Sequence, residues 1–154
     1  MAVPYFAFGS NMLLERLAQR VPSARAVGVA TLANHALRFN KLSKDGSGKA
    51  NIEPSPDPGA VVRGVLFHLD KAERPALDRA EGGYRILLVM VRREGAGEDE
   101  EAFTYIAKRE AIRDGLRPFR WYRDAVIAGA RQHGLPESYI RRIEAVEVLD
   151  GPGG

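Results

Sequence analysis

The chain of 154 residues contains no cysteine. That absence excludes disulfide cross-links, thiolate metal sites and a cysteine nucleophile together. Long hydrophobic runs are missing as well: no apolar stretch approaches the ~20 residues that a helix needs to cross a bilayer. Met1-Ala2-Val3 enters a strand pattern directly, without the basic region and apolar core of a secretory leader, so a cytoplasmic location is expected. Histidine is scarce, and His35, His68 and His133 show no metal-ligand spacing and no His-Glu-x-x-His pattern. No phosphate-binding Walker loop or dinucleotide fingerprint occurs. Ser10 lies between Gly9 and Asn11 with Met12 following, so the Gly-x-Ser-x-Gly nucleophile elbow is absent too. No metal and no cofactor are expected.

What remains is an ordinary globular composition, 45% hydrophobic and 28% charged, in a length that suits one domain. We read that domain as residues 1–150, with 151–154 as a flexible glycine-rich tail. The net charge is only +3, and between Lys108 and Arg142 nine Lys/Arg oppose four Asp/Glu. These arginines alternate with acids in a helical pattern, which reads as a solvated face rather than a nucleic-acid-binding surface.

Periodicity divides the chain into strands with helices inserted at irregular intervals. A first helical pattern begins at Met12 and is ended by Pro22. Residues 26–32, 35–41, 50–53 and 61–69 read as strands, separated by turn clusters at 45–48 and 54–59. Asp70 with Glu73 matches a capping box opening a helix through Ala80, which Gly82-Gly83 ends. Residues 84–93 and 102–107 form a predicted hairpin around the acidic, glycine-rich loop 94–101. A helix follows from Pro118 to His133-Gly134, with Tyr122, Ala125, Val126 and Gly129 on one face. A short helix from Pro136 to Ile143 and a last strand at 146–149 complete the pattern. Irregular alternation favours an α+β fold around a small mixed or antiparallel β-barrel over a doubly wound parallel sheet.

Two places stand out chemically. From Tyr5 to Met12 an aromatic extended run stops at Gly9-Ser10-Asn11 and a helical pattern starts at once. A strand turning on glycine into a helix start points several backbone N–H groups outward together, a concavity suited to a carboxylate or an oxyanion. The second place is Glu81, the last residue before Gly82-Gly83. There the helix dipole disfavours an anion, and any burial would raise the carboxyl pKa toward that of a working proton shuttle. An exposed glutamate at a frayed helix end is the commoner arrangement, so neither feature is decisive alone. An anion cradle with one displaced carboxylate, and no obvious nucleophile, suits a reaction in which the substrate supplies its own nucleophile.

Here the sequence resembles the γ-glutamylcyclotransferases. Tyr5-Phe6-Ala7-Phe8-Gly9-Ser10-Asn11-Met12 is similar to their opening loop. Leu77-Asp78-Arg79-Ala80-Glu81-Gly82 resembles the segment bearing their single catalytic glutamate. Trp121-Tyr122, Gly129-Ala130 and the run from Gly134 to Tyr139 look like their C-terminal helical region. The resemblance implies a small β-barrel with helices around it and a pocket at one mouth. It implies conversion of a small γ-glutamyl amino acid or amine to 5-oxoproline, without cofactor, by a monomer or homodimer free of membrane and nucleic acid. By the same resemblance Glu81 is the general acid and base. Tyr5, Phe6, Ala7, Phe8, Gly9, Ser10 and Tyr122 then bind substrate, with Tyr105 as a further wall candidate. The chain departs from the pattern at Phe8, where many relatives carry tyrosine. That missing hydroxyl motivates a second reading, a non-catalytic module that binds γ-glutamyl compounds or regulates through them.

Overall fold

The computed structural model describes residues 1–151, so residues 152–154 of the expected tail lie outside the described residues. Seven strands form: β1 (Ala2–Ala7), β2 (Arg25–Ala33), β3 (His35–Leu42), β4 (Gly48–Pro54), β5 (Val61–Asp70), β6 (Tyr84–Arg93) and β7 (Glu100–Ala107). Five of them close a barrel in the order β1-β5-β2-β6-β7. Neighbours are antiparallel except at the seam, where β1 meets β7 in parallel with Tyr5 opposite Phe103. The remaining pair, β3 and β4, forms a separate antiparallel hairpin. The fold is the α+β barrel that the sequence pattern favours.

Apolar side chains on these strands fill the barrel and the space between it and the helices. Phe6, Val62, Val65, Leu66, Phe67 and Val91 are fully buried, and their removal from water is the main force closing the sheet. Four α-helices, α1 (Leu14–Ala18), α2 (Arg74–Ala80), α3 (Arg120–Gln132) and α4 (Glu137–Glu144), pack around it. The face of α3 that turns inward carries Tyr122, Val126, Gly129 and Ala130. No helix is long and apolar enough to cross a membrane among the described residues.

Several local expectations are corrected. The first helix is shorter than predicted, a 3-10 turn at Ser10–Met12 followed by one turn and a half of α-helix. Asp70 does cap the next segment by accepting from the Ala72 amide at 3.0 Å, but Glu73 does not complete the box. Its carboxylate reaches across to the Ser23 amide and hydroxyl instead. Residues 146–149 are not a strand. Only Leu149 is bridged, to Phe119, held by Leu149 N donating to Pro118 O at 2.8 Å.

The hairpin of β3 and β4 is fastened over the barrel by side chains rather than by sheet pairing. Asn51 Oδ1 accepts from the Ala107 amide at 2.8 Å. The Tyr84 hydroxyl donates to Ala50 O at 2.7 Å, and the Ala50 amide donates to the Tyr122 hydroxyl at 3.1 Å. Ala50 is thus pinned from both its backbone groups by tyrosines of β6 and α3.

Candidate active site

The turn at the end of β1 is held from outside by α3. A Cβ on Gly129 would lie 2.6 Å from the Leu13 nitrogen, so α3 can approach the turn this closely only through glycine. Two further contacts tie α3 to the segment: the His133 ring nitrogen lies 2.8 Å from Met12 O, and Gln132 Oε1 accepts from the Leu14 amide at 2.9 Å. The Gly9 and Ser10 amides donate to no protein acceptor among the described residues.

Glu81 arrives from the opposite side. It ends α2 as the C-cap residue, with its amide donating to Leu77 O and Asp78 O, both at 3.2 Å. Gly83, at φ +84°, then reverses the chain into β6, a conformation that glycine adopts without strain. The Glu81 carboxylate turns inward and accepts from Asn11 Nδ2 at 2.7 Å. The same Asn11 amide donates to the Tyr5 hydroxyl at 3.1 Å.

These groups share one recess of about 50 Å³, walled by Tyr5, Phe8, Gly9, Ser10, Tyr122 and Glu81 together with Asn11, Tyr84, Thr104 and Tyr105. Phe6 and Ala7 do not reach it. Phe6 is fully buried in the barrel core, and its carbonyl accepts from the Thr104 hydroxyl at 2.7 Å. Alternation along β1 accounts for Phe6, which must point to the face opposite Tyr5, while Phe8 lies past the end of the strand. The recess opens into an outer groove of about 530 Å³ that shares Ser10, Asn11, Glu81, Tyr84 and Tyr122 with it.

Burial raises the Glu81 pKa above its ordinary value. The Asn11 hydrogen bond and the charges of Arg20, Lys41 and Arg16 pull it partly back. The tyrosines stay protonated. Burial pushes the Tyr122 hydroxyl up to about 12 and raises those of Tyr5 and Tyr105 further, with the Glu81 charge adding at Tyr5 and the hydrogen bond to Asp78 adding at Tyr105. Burial lifts Tyr84 as well, with the hydroxyl of Tyr122 and the Glu81 charge adding to it. The arrangement therefore offers one titratable carboxyl, unpaired backbone donors and neutral aromatic walls, which is equipment for moving a proton beside a bound polar group.

Sequence reasoning placed Asn11 within the opening loop but gave it no role, and it passed over Tyr84, Thr104 and the cations at the mouth. Nothing local marks these residues, because each joins the recess only through contacts between distant elements. Among the described residues no group of three or more His, Asp or Glu is arranged to hold a metal.

A small barrel with a single-carboxyl recess at its mouth defines a class, and comparison with known proteins places the chain within it. The model of the AIG2-like family matches residues 61–143. Human γ-glutamylcyclotransferase is 32% identical over 154 residues, covering 97% of this chain and 81% of the relative. The bovine γ-glutamylcyclotransferase is 30% identical with the same coverage. A solved structure of a γ-glutamyl cyclotransferase superimposes with a TM-score of 0.89 at 30% identity, over 100% of this chain and 93% of that one. The chain belongs to the γ-glutamylcyclotransferase family, within the AIG2-like proteins.

Proposed function

We propose that the protein is a cyclotransferase that converts a γ-glutamyl amino acid or amine to 5-oxoproline and the free amine. The observation that carries this reading is the meeting of the Glu81 carboxylate with the Gly9-Ser10-Asn11 turn in one recess. The substrate's α-ammonium gives a proton to Glu81, and the freed amine attacks its own γ-carbonyl carbon. That attack closes a five-membered ring, so much of the entropic cost of bringing two reactants together is absent. The amides of Gly9 and Ser10 face the oxyanion that develops on the γ-carbonyl oxygen. As the carbon–nitrogen bond to the leaving group breaks, Glu81 returns that proton to the departing nitrogen, then takes the second proton from the ring nitrogen and passes it to the same amine, which leaves as an ammonium. Protons and electrons balance without a cofactor or a covalent enzyme intermediate.

A raised carboxyl pKa suits this double role, because it makes the carboxylate a better acceptor for the ammonium proton than an ordinary glutamate. The relatives named as γ-glutamylcyclotransferases support the activity. The test is to incubate the protein with γ-glutamyl-alanine and follow 5-oxoproline. The Glu81→Gln variant should keep its circular dichroism spectrum and lose about 10²- to 10⁴-fold in turnover, the usual worth of a general acid–base group. Undiminished turnover in that variant overturns the assignment. Binding of γ-glutamyl-alanine by the unaltered protein with no 5-oxoproline formed would favour the non-catalytic reading instead.

A further inference from the structure

The outer groove has a charge pattern that the proposed chemistry does not require. Six cations line it, Arg16, Arg20, Lys41, Lys44, Lys49 and Arg79, against one carboxyl group, that of Glu81. They come from α1 and the short segment after it, from the β3–β4 hairpin and from α2, so three separate parts of the chain converge on one opening. Only Lys49 has a carboxylate partner within salt-bridge distance among the described residues, Asp45 at 3.8 Å. Arg16 is held in place by Ser10 Oγ, which accepts from its Nε at 3.1 Å, and by the Trp121 ring at 5.4 Å. Lys49 sits over Trp121 and Tyr122 at 4.4 and 4.3 Å, and Lys41 over Tyr84 at 4.9 Å. Aromatic faces thus hold three of the six heads at the mouth without neutralising them.

Resting on the cyclotransferase reading, we propose that the leaving group of the substrate is an acidic amino acid, bearing two carboxylates that this groove receives. The groove of about 530 Å³ adjoins the recess through Ser10, Asn11, Glu81, Tyr84 and Tyr122, so it receives the leaving half when the glutamyl half is held at the Gly9-Ser10 turn. A neutral amine there would add no counter-charge to the five cations that have no carboxylate partner within salt-bridge distance among the described residues. A single carboxylate would still leave a surplus. A dianion draws on charges already gathered and oriented, and the local field raises its concentration at the mouth.

The experiment compares kcat/KM for γ-glutamyl-glutamate, γ-glutamyl-glutamine and γ-glutamyl-propylamine, which differ stepwise in leaving-group charge, the first two at nearly constant shape. Each carboxylate should add about three- to tenfold, the range of partly exposed ion pairs. The advantage should shrink as salt shortens the screening length below about 8 Å. Charge reversal at the exposed Lys44→Glu and Arg79→Glu should narrow the ratio of γ-glutamyl-glutamate to γ-glutamyl-glutamine. The salt series reads the same effect on the unaltered protein if either variant fails to fold. Equal or faster turnover of the glutamine compound, with 5-oxoproline formed from all three, overturns this inference alone. No 5-oxoproline from any of them overturns the cyclotransferase reading and this inference with it.

Discussion

Asn11 Nδ2 lies 2.7 Å from Glu81 Oε1 and 3.1 Å from the Tyr5 hydroxyl, joining residues 70 positions apart in the chain. The contact fixes the carboxylate and is one of the influences that lower its pKa against burial. Removing it in Asn11→Ala should raise the Glu81 pKa further. The base form exists above that pKa, so the acid limb of the kcat/KM profile should move to higher pH. At neutral pH the loss should be roughly tenfold or more, the worth of a hydrogen bond to a charged group. A profile of unchanged midpoint with uniformly lower activity would mean that Asn11 supports the fold and not the carboxyl.

The same burial has a consequence for stability. A carboxyl whose folded pKa is raised contributes stability fully present below its unfolded value, near 4.5, and lost as pH rises through the folded value. That contribution is progressively lost toward pH 8 in the native protein, whereas Glu81→Gln has no such pH-dependent term. The variant should melt at a higher temperature than the unaltered protein at pH 8, with the difference vanishing toward pH 4. Thermal unfolding followed by circular dichroism across that range checks the sign. A variant less stable at pH 8 would contradict it. A site that is inactive yet more stable is the usual exchange between function and stability.

Ser10 is the residue most easily mistaken for a nucleophile, since it lies in the recess beside Gly9. Its hydroxyl already accepts from Arg16 Nε at 3.1 Å, and the proposed chemistry uses only its amide. Ser10→Ala should therefore stay within about fivefold of the native kcat/KM, the scale of one neutral hydrogen bond. A thousandfold loss would indicate that the hydroxyl itself reacts.

Legibility from sequence varied with the range of the interaction. Strand patterns in β5 and β6 and the Asp70 cap are written in neighbouring residues, and they appear where expected. The barrel seam is not written locally, because Tyr5 opposite Phe103 depends on closure of the whole sheet. The sequence drew attention to basic residues 108–142, yet several of these arginines are met nearby. Arg131 pairs with Glu137 and Glu144, Arg123 with Asp124 and Arg120 with Asp150. The cations that matter for the groove are spread from Arg16 to Arg79, and no window of sequence contains them. Trp121 is partly buried and packs under Arg16 and Lys49, contacts between segments that no local pattern shows. Glu81 broke a helix-end rule, and that violation was readable. Its partner Asn11 broke none.

The placing of the turn by α3 can be tested at Gly129. A methyl group there would meet the Leu13 nitrogen at 2.6 Å, Met12 Cβ at 2.7 Å and Met12 C at 2.8 Å. Two of those atoms are backbone, so no side-chain rotation relieves the contact, and α3 must move away from the segment that follows Ser10. Alanine gains about 1 kcal/mol over glycine in helix propensity, while overpacking costs about 1–3 kcal/mol. Gly129→Ala should thus be destabilised by up to about 2 kcal/mol, or neutral if the turn yields. In either case the free Gly9 and Ser10 amides shift relative to Glu81, so kcat/KM should fall by more than any loss of folded protein explains. Gly97→Ala serves as the control, since that loop position has nothing within 4 Å of the added methyl and no positive φ. Equal activity per folded molecule in the two variants would show that α3 supports the fold without setting the geometry of the recess.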